Sequence, residues 1–206
     1  MTKNNTEHKS FIGWIGGKKL LRKTIAKLIP EDIKSYIEPF GGGAWVLFYK
    51  NKWANLEVYN DLDGKLVNLF RIVKYHPQAF KIEIKYLLGS REMFFQFLNG
   101  TFITDIQKAV QFFFIFTRSF GGNCRTFGVT KQSVGVACRS QYSVLDKIDE
   151  IHERLDTVMI ENSDFETLIN NTTMRVHFSI VIRLIPLGLN MALLGKNLKM
   201  KGLEMF

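Results

Sequence analysis

Cysteine is nearly missing: two in 206 residues, Cys124 and Cys138. Two thiols make neither a disulfide framework nor a metal cluster, so a reducing cytoplasm is the expected setting. Proline is scarce as well, with four. No apolar run approaches the roughly 20 residues of a bilayer-spanning helix, so no membrane contact is expected. The polar opening, Thr2-Lys3-Asn4-Asn5, is no secretory signal. Repeats and low-complexity tracts are absent. The excess is in positive charge: 28 Lys and Arg stand against 19 Asp and Glu, a net +9. That balance suits a polyanionic partner, although a merely soluble basic protein shares it. Hydrophobic residues reach 46%, enough for one large domain or one domain with an insertion.

The chain is organised around Tyr36-Ile37-Glu38-Pro39-Phe40-Gly41-Gly42-Gly43-Ala44 and Val58-Tyr59-Asn60-Asp61. Tyr36 and Ile37 end a short apolar run, read as the first strand of a sheet. Three glycines then strip side chains from one turn, so that a backbone can lie flat against a ligand. Glu38 falls at the carboxyl end of that strand, where α/β sheets bind ligands. A second strand, Leu56 to Tyr59, ends in Asn60-Asp61. Asp61 follows the glycines by roughly 20 residues, the spacing at which an acid reaches a ribose hydroxyl. The loop alone is equally readable as a flexible turn; the two strand ends together favour a nucleoside. No Gly-Lys-Ser/Thr follows, and GxGxxG does not match, so a ligand without a polyphosphate is expected.

Upstream, Phe11-Ile12-Gly13-Trp14-Ile15-Gly16-Gly17-Lys18-Lys19 opens a helix read over Lys19 to Leu28, with Leu20, Leu21, Ile25 and Leu28 on one face. Trp14 taken alone reads as core; Gly16-Gly17-Lys18 resembles an anion or carboxylate cradle. Three stretches in order, FIGWIGGKKLL, YIEPFGGGAWVLF and YNDLDGKLVNLFRIVKYHP, resemble the signatures of the Dam-type (class D12) adenine-N6 DNA methyltransferases. The resemblance implies S-adenosylmethionine as cofactor. By position it places Trp14, Lys18 and Asp61 on the family's cofactor residues, and Glu38, Gly41 and Gly43 in its cofactor loop. The later strand Val158-Met159-Ile160-Glu161 and its turn Asn162-Ser163-Asp164-Phe165 are similar to the motif beside the adenine ring. Asp164 reads there as acceptor of the adenine amino group, as a helix N-cap, or as both.

Between these motifs the composition changes. Asp63 to Val73 reads as a helix with Leu66, Leu69, Phe70 and Val73 in its stripe. Residues 78 to 116 carry nine phenylalanines among Lys and Gln. Stacking on bases is one reading; helix core of an insertion is the better one. Phe116 to Gly128 is a loop rich in Gly, Asn and Arg. Arg118 and Arg125 suit phosphates or guanine, and Asn123 suits adenine. This loop resembles the one that follows the family's target-recognition region. Residues 76–148 are therefore expected to read double-stranded DNA, with Lys131, Arg139 and Lys147 adding charge. A helix over Asp146 to Leu155 follows, on whose apolar face His152 reads as structural.

The resemblance then breaks. The family's reaction needs Asp-Pro-Pro-Tyr: a carboxylate and a carbonyl accept the two amine hydrogens of adenine, freeing its lone pair, while the tyrosine stacks on the flipped base. This chain carries Arg175-Val176-His177-Phe178-Ser179-Ile180-Val181-Ile182-Arg183-Leu184-Ile185-Pro186 instead. Regrouping neighbouring codons, last base of one with first two of the next, changes the picture. Val181–Ile182 permits GAT, Ile182–Arg183 CCG, Arg183–Leu184 CCT and Leu184–Ile185 TAT. The pairs from Val176–His177 onward permit Thr-Phe-Phe-Tyr-Cys. A frameshift between about Asn170 and Val176 is one reading, with an unselected tail over 171–206. The other is a divergent strand from Val176 to Leu184, alternating as a half-buried strand does, with one basic helix over Leu187 to Met205 containing Lys196, Lys199 and Lys201.

The expectation is an α/β, Rossmann-like S-adenosylmethionine-dependent methyltransferase sheet, C-terminally truncated, with a helical DNA-recognition insertion. Residues 1–75 hold the cofactor motifs, 76–148 the insertion, and 149–170 the return to the sheet. By lineage the activity is methyl transfer to adenine N6 in DNA, impaired here because no catalytic motif is present. A non-catalytic DNA- or nucleoside-binding remnant is the alternative. No metal is expected. A monomer is expected, bacterial or phage-encoded, and a restriction endonuclease is a candidate partner.

Overall fold

The computed structural model describes residues 7–128, 142–173, 178–185 and 188–195. Two compact units result, one of Met1–Ser10, Gly16–Val67 and Arg154–Phe206, the other of Phe11–Ile15 and Asn68–Glu153.

In the first unit, helix α1 (Arg22–Leu28) precedes strand β1 (Ser35–Glu38), and β2 (Leu56–Asn60) follows the glycine loop. Helix α2 (Gly64–Tyr75) leaves this unit for the second, whose helices are α3 (Pro77–Lys85), α4 (Arg91–Asn99), α5 (Asp105–Arg118) and α6 (Tyr142–Leu155). The chain then returns through β3 (Val158–Glu161), α7 (Phe165–Thr173), β4 (Phe178–Ile185) and β5 (Gly188–Gly195).

Strands β1, β2 and β3 form a parallel sheet in that order, with Ile37 opposite Val58 and Val58 opposite Met159. All of β1 is buried, as parallel strands covered on both faces are. Ile37 and Val58 pack with Leu168 of α7, each contributing roughly 1.5–3 kcal/mol by leaving water. Two charges are buried with them. Arg154 grips Glu57 by a bidentate pair, Nη1 to Oε2 and Nη2 to Oε1, both at 2.8 Å. Its Nε donates to Lys50 O and its Nη2 to Leu47 O, so the guanidinium staples the turn Leu47–Tyr49 to β2. The backbone of β4 lies against β1 and pairs antiparallel with β5.

In the second unit phenylalanines fill the core. Phe80 meets Phe113 edge-on at 5.5 Å, and Phe97 meets Phe114 at 4.8 Å. Phe94 and Phe114 lead a cluster with Ile115. Helix α5 starts with a capping box, in which Thr104 accepts from Gln107 N–H while the Gln107 side chain accepts from Thr104 N–H. His152 Nδ1 lies 2.7 Å from Lys74 O, a structural contact.

The α2 stripe is as expected: Leu66, Leu69, Phe70 and Val73 are fully buried. Two expectations change. Helix α1 begins at Arg22, and Ile25, Ala26 and Ile29 are buried while Leu20 and Leu28 are exposed. Residues Lys18 to Leu21 form a turn, which rotates the buried face. The basic helix over Leu187 to Met205 is replaced over Gly188–Gly195 by β5; glycines bound that stretch, and Leu189, Met191 and Leu193 recur with a period of two, which suits a strand. The expectations for Lys131, Cys138, Arg139, Val176, His177, Lys196, Lys199 and Lys201 lie outside the described residues.

Candidate functional site

The carboxyl ends of β1, β2 and β3 lie side by side, and the loops that leave them are bonded to one another. After β1 the chain turns over Gly41 and Gly42. A Cβ on Gly41 would stand 2.1 Å from Tyr59 Cε2, so a buried ring occupies the space where any side chain would go. Gly42 takes φ +53°, the left-handed region. Ala44 takes φ +55° with a side chain, in a fully buried position. Gly43 is buried in the same turn. Tyr59 Oη donates to Gly42 O at 2.8 Å, and Gly41 N–H donates to Asn60 O at 2.7 Å. The strand end of β2 is thus the mould on which the glycine turn is cast.

Asp61 supplies the other half of that mould. Gly42 N–H donates to its Oδ2 at 2.8 Å, and Asp63 N–H to its Oδ1 at 3.0 Å. A carboxylate has about four acceptor positions, so these bonds leave capacity for a diol. Leu62, next in sequence, is 71% exposed.

Lys18 and Glu38 face each other. Lys18 Nζ donates to Glu38 Oε1 at 2.8 Å and also to Phe40 O, with both side chains buried. Tyr36 Oη donates to Glu38 Oε2 at 2.8 Å. Burial, reinforced by Glu38, holds the Tyr36 phenol well above its usual pKa, and burial together with Asp61 does the same for Tyr59. Both hydroxyls stay protonated donors. Lys18 and Glu38 therefore form a buried ion pair that also holds the Phe40 carbonyl, just before the glycine turn.

After β3, Asp164 caps α7. Its Oδ1 accepts from Glu166 N–H and Thr167 N–H, both at 3.0 Å, and its Oδ2 from Thr167 Oγ1 at 2.5 Å. The Thr167 hydroxyl and then its amide lower the carboxyl pKa. Phe165, partly exposed, approaches Phe40 with centroids 5.6 Å apart. Asn162 Nδ2 donates to Asp61 O and Leu62 O. Neighbouring strands thus end in two acid-then-apolar pairs, Asp61-Leu62 and Asp164-Phe165. Each couples a hydrogen-bond acceptor with an apolar surface, which is what a nucleoside asks of a site. Leu62 and Asn60 escape sequence reading; the only signal is their place beside Asp61.

Trp14 belongs to the second unit, where its ring stacks on Phe116 at 5.3 Å and 14°. The same unit carries the loop after α5, closed by the Ser119–Phe127 bridge and by Gly128 N–H donating to Arg118 O. Arg125 is exposed. Asn123 Oδ1 accepts from Arg125 and Thr126 N–H, and its Nδ2 donates to Thr126 Oγ1, so its amide shapes its own loop. Arg118 is 4% exposed, with its guanidinium 6.0 Å from the Phe114 ring centre. Among the described residues, no three His, Cys, Asp or Glu side chains cluster for a metal, and no helix is long and apolar enough to cross a membrane.

A parallel sheet with helices between its strands, a glycine turn after the first and an acid after the second is consistent with the α/β methyltransferase class, which uses S-adenosylmethionine in general. The chain belongs to the D12 class N6 adenine-specific DNA methyltransferase family, whose model matches residues 14–178. It is 26% identical over 179 residues to the type II methyltransferase M1.LlaDCHI of Lactococcus lactis subsp. cremoris, covering 81% of this chain and 62% of that protein. To the type II methyltransferase M.CviBI of Paramecium bursaria Chlorella virus NC1A it is 26% identical over 158 residues, covering 75% and 61%. To the DNA adenine methylase of Haemophilus influenzae it is 27% identical over 135 residues, covering 60% and 45%. The chain thus spans about three fifths or less of the length of these relatives.

Proposed function

We propose that this chain binds S-adenosylmethionine and double-stranded DNA as an adenine-N6 methyltransferase by descent, and that as written it does not complete methyl transfer. The observation that carries the cofactor reading is the Asp61 carboxylate, held by Gly42 N–H beside the exposed Leu62. Asp61 receives the ribose hydroxyls. Gly41 and Gly43 keep the loop's backbone bare, while Lys18 and Glu38 fix its underside. Asp164, while capping α7, takes the adenine amino group, and Phe165 packs on the ring. Trp14 is assigned to the cofactor by family position. When bound, the cofactor supplies an electrophilic methyl group on sulfur.

DNA is the substrate class of the family. Residues 76–148 are the target-recognition insertion and 149–170 the return to the sheet. Arg125 makes the phosphate contact of the loop; Arg118 and Asn123 hold it in shape. A monomer and a companion endonuclease belong to the same reading, the latter supported by the type II names of two relatives.

The missing Asp-Pro-Pro-Tyr supports the loss of catalysis. The family match ends at Phe178, just before Val181 to Ile185, the residues whose shifted frame permits that motif. The tail over 171–206 is accordingly read as frameshifted.

Calorimetry of the full chain against S-adenosylmethionine, NAD and ATP tests the cofactor reading. Binding of the first alone is expected, and Asp61→Ala should weaken it by about 1–3 kcal/mol by stranding hydroxyls. Equal affinity for all three, or an indifferent Asp61→Ala, overturns the reading. Transfer of labelled methyl to an adenine-containing duplex would refute the loss of catalysis. Sequencing codons 165 to 206 decides the frame.

A further inference from the structure

We infer that Asn60 is a positioning residue that locks the ribose side of the site to the adenine side, an inference that rests on the cofactor reading above. Asn60 closes β2 and is 1% exposed. Its Nδ2 donates to Pro39 O at 2.9 Å and to Ser163 O at 2.9 Å. Its Oδ1 accepts from Ser163 N–H at 2.9 Å. Its own carbonyl accepts from Gly41 N–H. One side chain therefore ties the start of the glycine turn to the residue before Asp164, partners 21 and 103 positions away.

The chemistry demands an amide. Two carbonyls and one N–H converge on it, so the side chain must donate twice and accept once. Asparagine does this. Aspartate of the same size only accepts, and would set a carboxylate against two carbonyl oxygens. An apolar residue would strip this partner from the buried Pro39 carbonyl and from the part-buried carbonyl and N–H of Ser163. The two acids of the site follow directly from this clasp: Asp61 is next after Asn60, and Asp164 next after Ser163. Their separation is thus set by a residue that need not touch the ligand. A nucleoside that spans both acids feels any slackening of the clasp as lost affinity, while the sheet and its core persist.

The test compares Asn60→Asp and Asn60→Ser with the wild-type full chain. Three readouts are taken: affinity for S-adenosylhomocysteine by calorimetry, thermal melting without ligand, and hydrogen exchange of the Ser163 amide. Asn60→Asp should weaken binding by about tenfold or more with a melting transition that stays cooperative, and Ser163 should lose protection. Asn60→Ser, which keeps one donor and one acceptor, should recover part of both. Asp61→Ala should cost less in the Asn60→Asp background than alone, the non-additivity of residues that act together. Affinity unchanged in both variants, or a full Asp61→Ala effect in the Asn60→Asp background, overturns the inference. Should Asn60→Asp not fold, undiminished Ser163 protection in Asn60→Ser overturns it. A wild-type chain that ignores S-adenosylhomocysteine strikes the cofactor reading instead, and Ser163 exchange still decides the clasp.

Discussion

Replacing Arg154 by methionine is expected to be among the most destabilising single changes in the first unit. Arg154 is 5% exposed and Glu57 1%. The guanidinium makes four hydrogen bonds, two to Glu57 and one each to Lys50 O and Leu47 O. Methionine fills much of the volume and makes none of them. Glu57 would then be a buried carboxylate whose described donor is Trp53 N–H at 2.8 Å. Breaking a buried pair from one side costs about 3–5 kcal/mol, because the surviving charge is stranded. Against a total stability of about 5–15 kcal/mol, that is a large fraction. Urea unfolding followed by tryptophan fluorescence reports it well, since Trp53 lies beside the pair, stacked on Tyr36 at 5.4 Å. The double change Arg154→Met with Glu57→Leu should recover most of the loss, because both charges then leave together. A single variant within about 1 kcal/mol of wild type, the range of an exposed pair, would refute the reasoning. So would a double variant no better than the single.

Gly41→Ala should destabilise by about 1–3 kcal/mol, the cost of overpacking, because the new methyl meets the Tyr59 ring; the denaturant midpoint reads this, and in a Tyr59→Ala background, itself destabilised, Gly41→Ala should cost less than it does alone. Asp164 contributes its cap through a depressed carboxyl pKa, so the contribution is full above the ordinary carboxylate value of about 3.9 and fades as pH falls through the lowered one. An NMR titration should show this directly, with Thr167→Val moving the pKa back up and Asp164→Asn removing the cap's share of the acid sensitivity of α7.

The parts of the fold legible in sequence are those whose signal is local. The stripe of α2 repeats every three to four residues, and β1 and β2 are short apolar runs ending at a glycine turn and an acid. Of the phenylalanines between 78 and 116, read as helix core, Phe80, Phe94, Phe113, Phe114 and Phe116 are buried, while Phe95 is exposed. What sequence cannot carry is the pairing of distant charges and amides. Glu57 and Arg154 stand 97 residues apart, and nothing in either neighbourhood names the other. Lys18 reads as a cofactor-binding residue and Glu38 as part of the cofactor loop, but that they pair with one another depends on tertiary placement. Asn60 reads as the residue before an acid; its partners, Pro39 after β1 and Ser163 after β3, emerge only once both strands flank β2. The face of α1 misleads because a turn of irregular backbone precedes Arg22 and shifts the phase.

The middle strand of the parallel sheet waits for its second neighbour. β2 ends at Asn60, and β3, which pairs with it, begins at Val158, with Asn68–Glu153 of the second unit spliced between. During synthesis at about 5–20 residues per second, that interval lasts several seconds. Throughout it the edge of β2 is a half-built zipper, open to any extended segment that passes. Slow, long-range closure of this kind keeps an unpaired strand edge exposed while the chain folds.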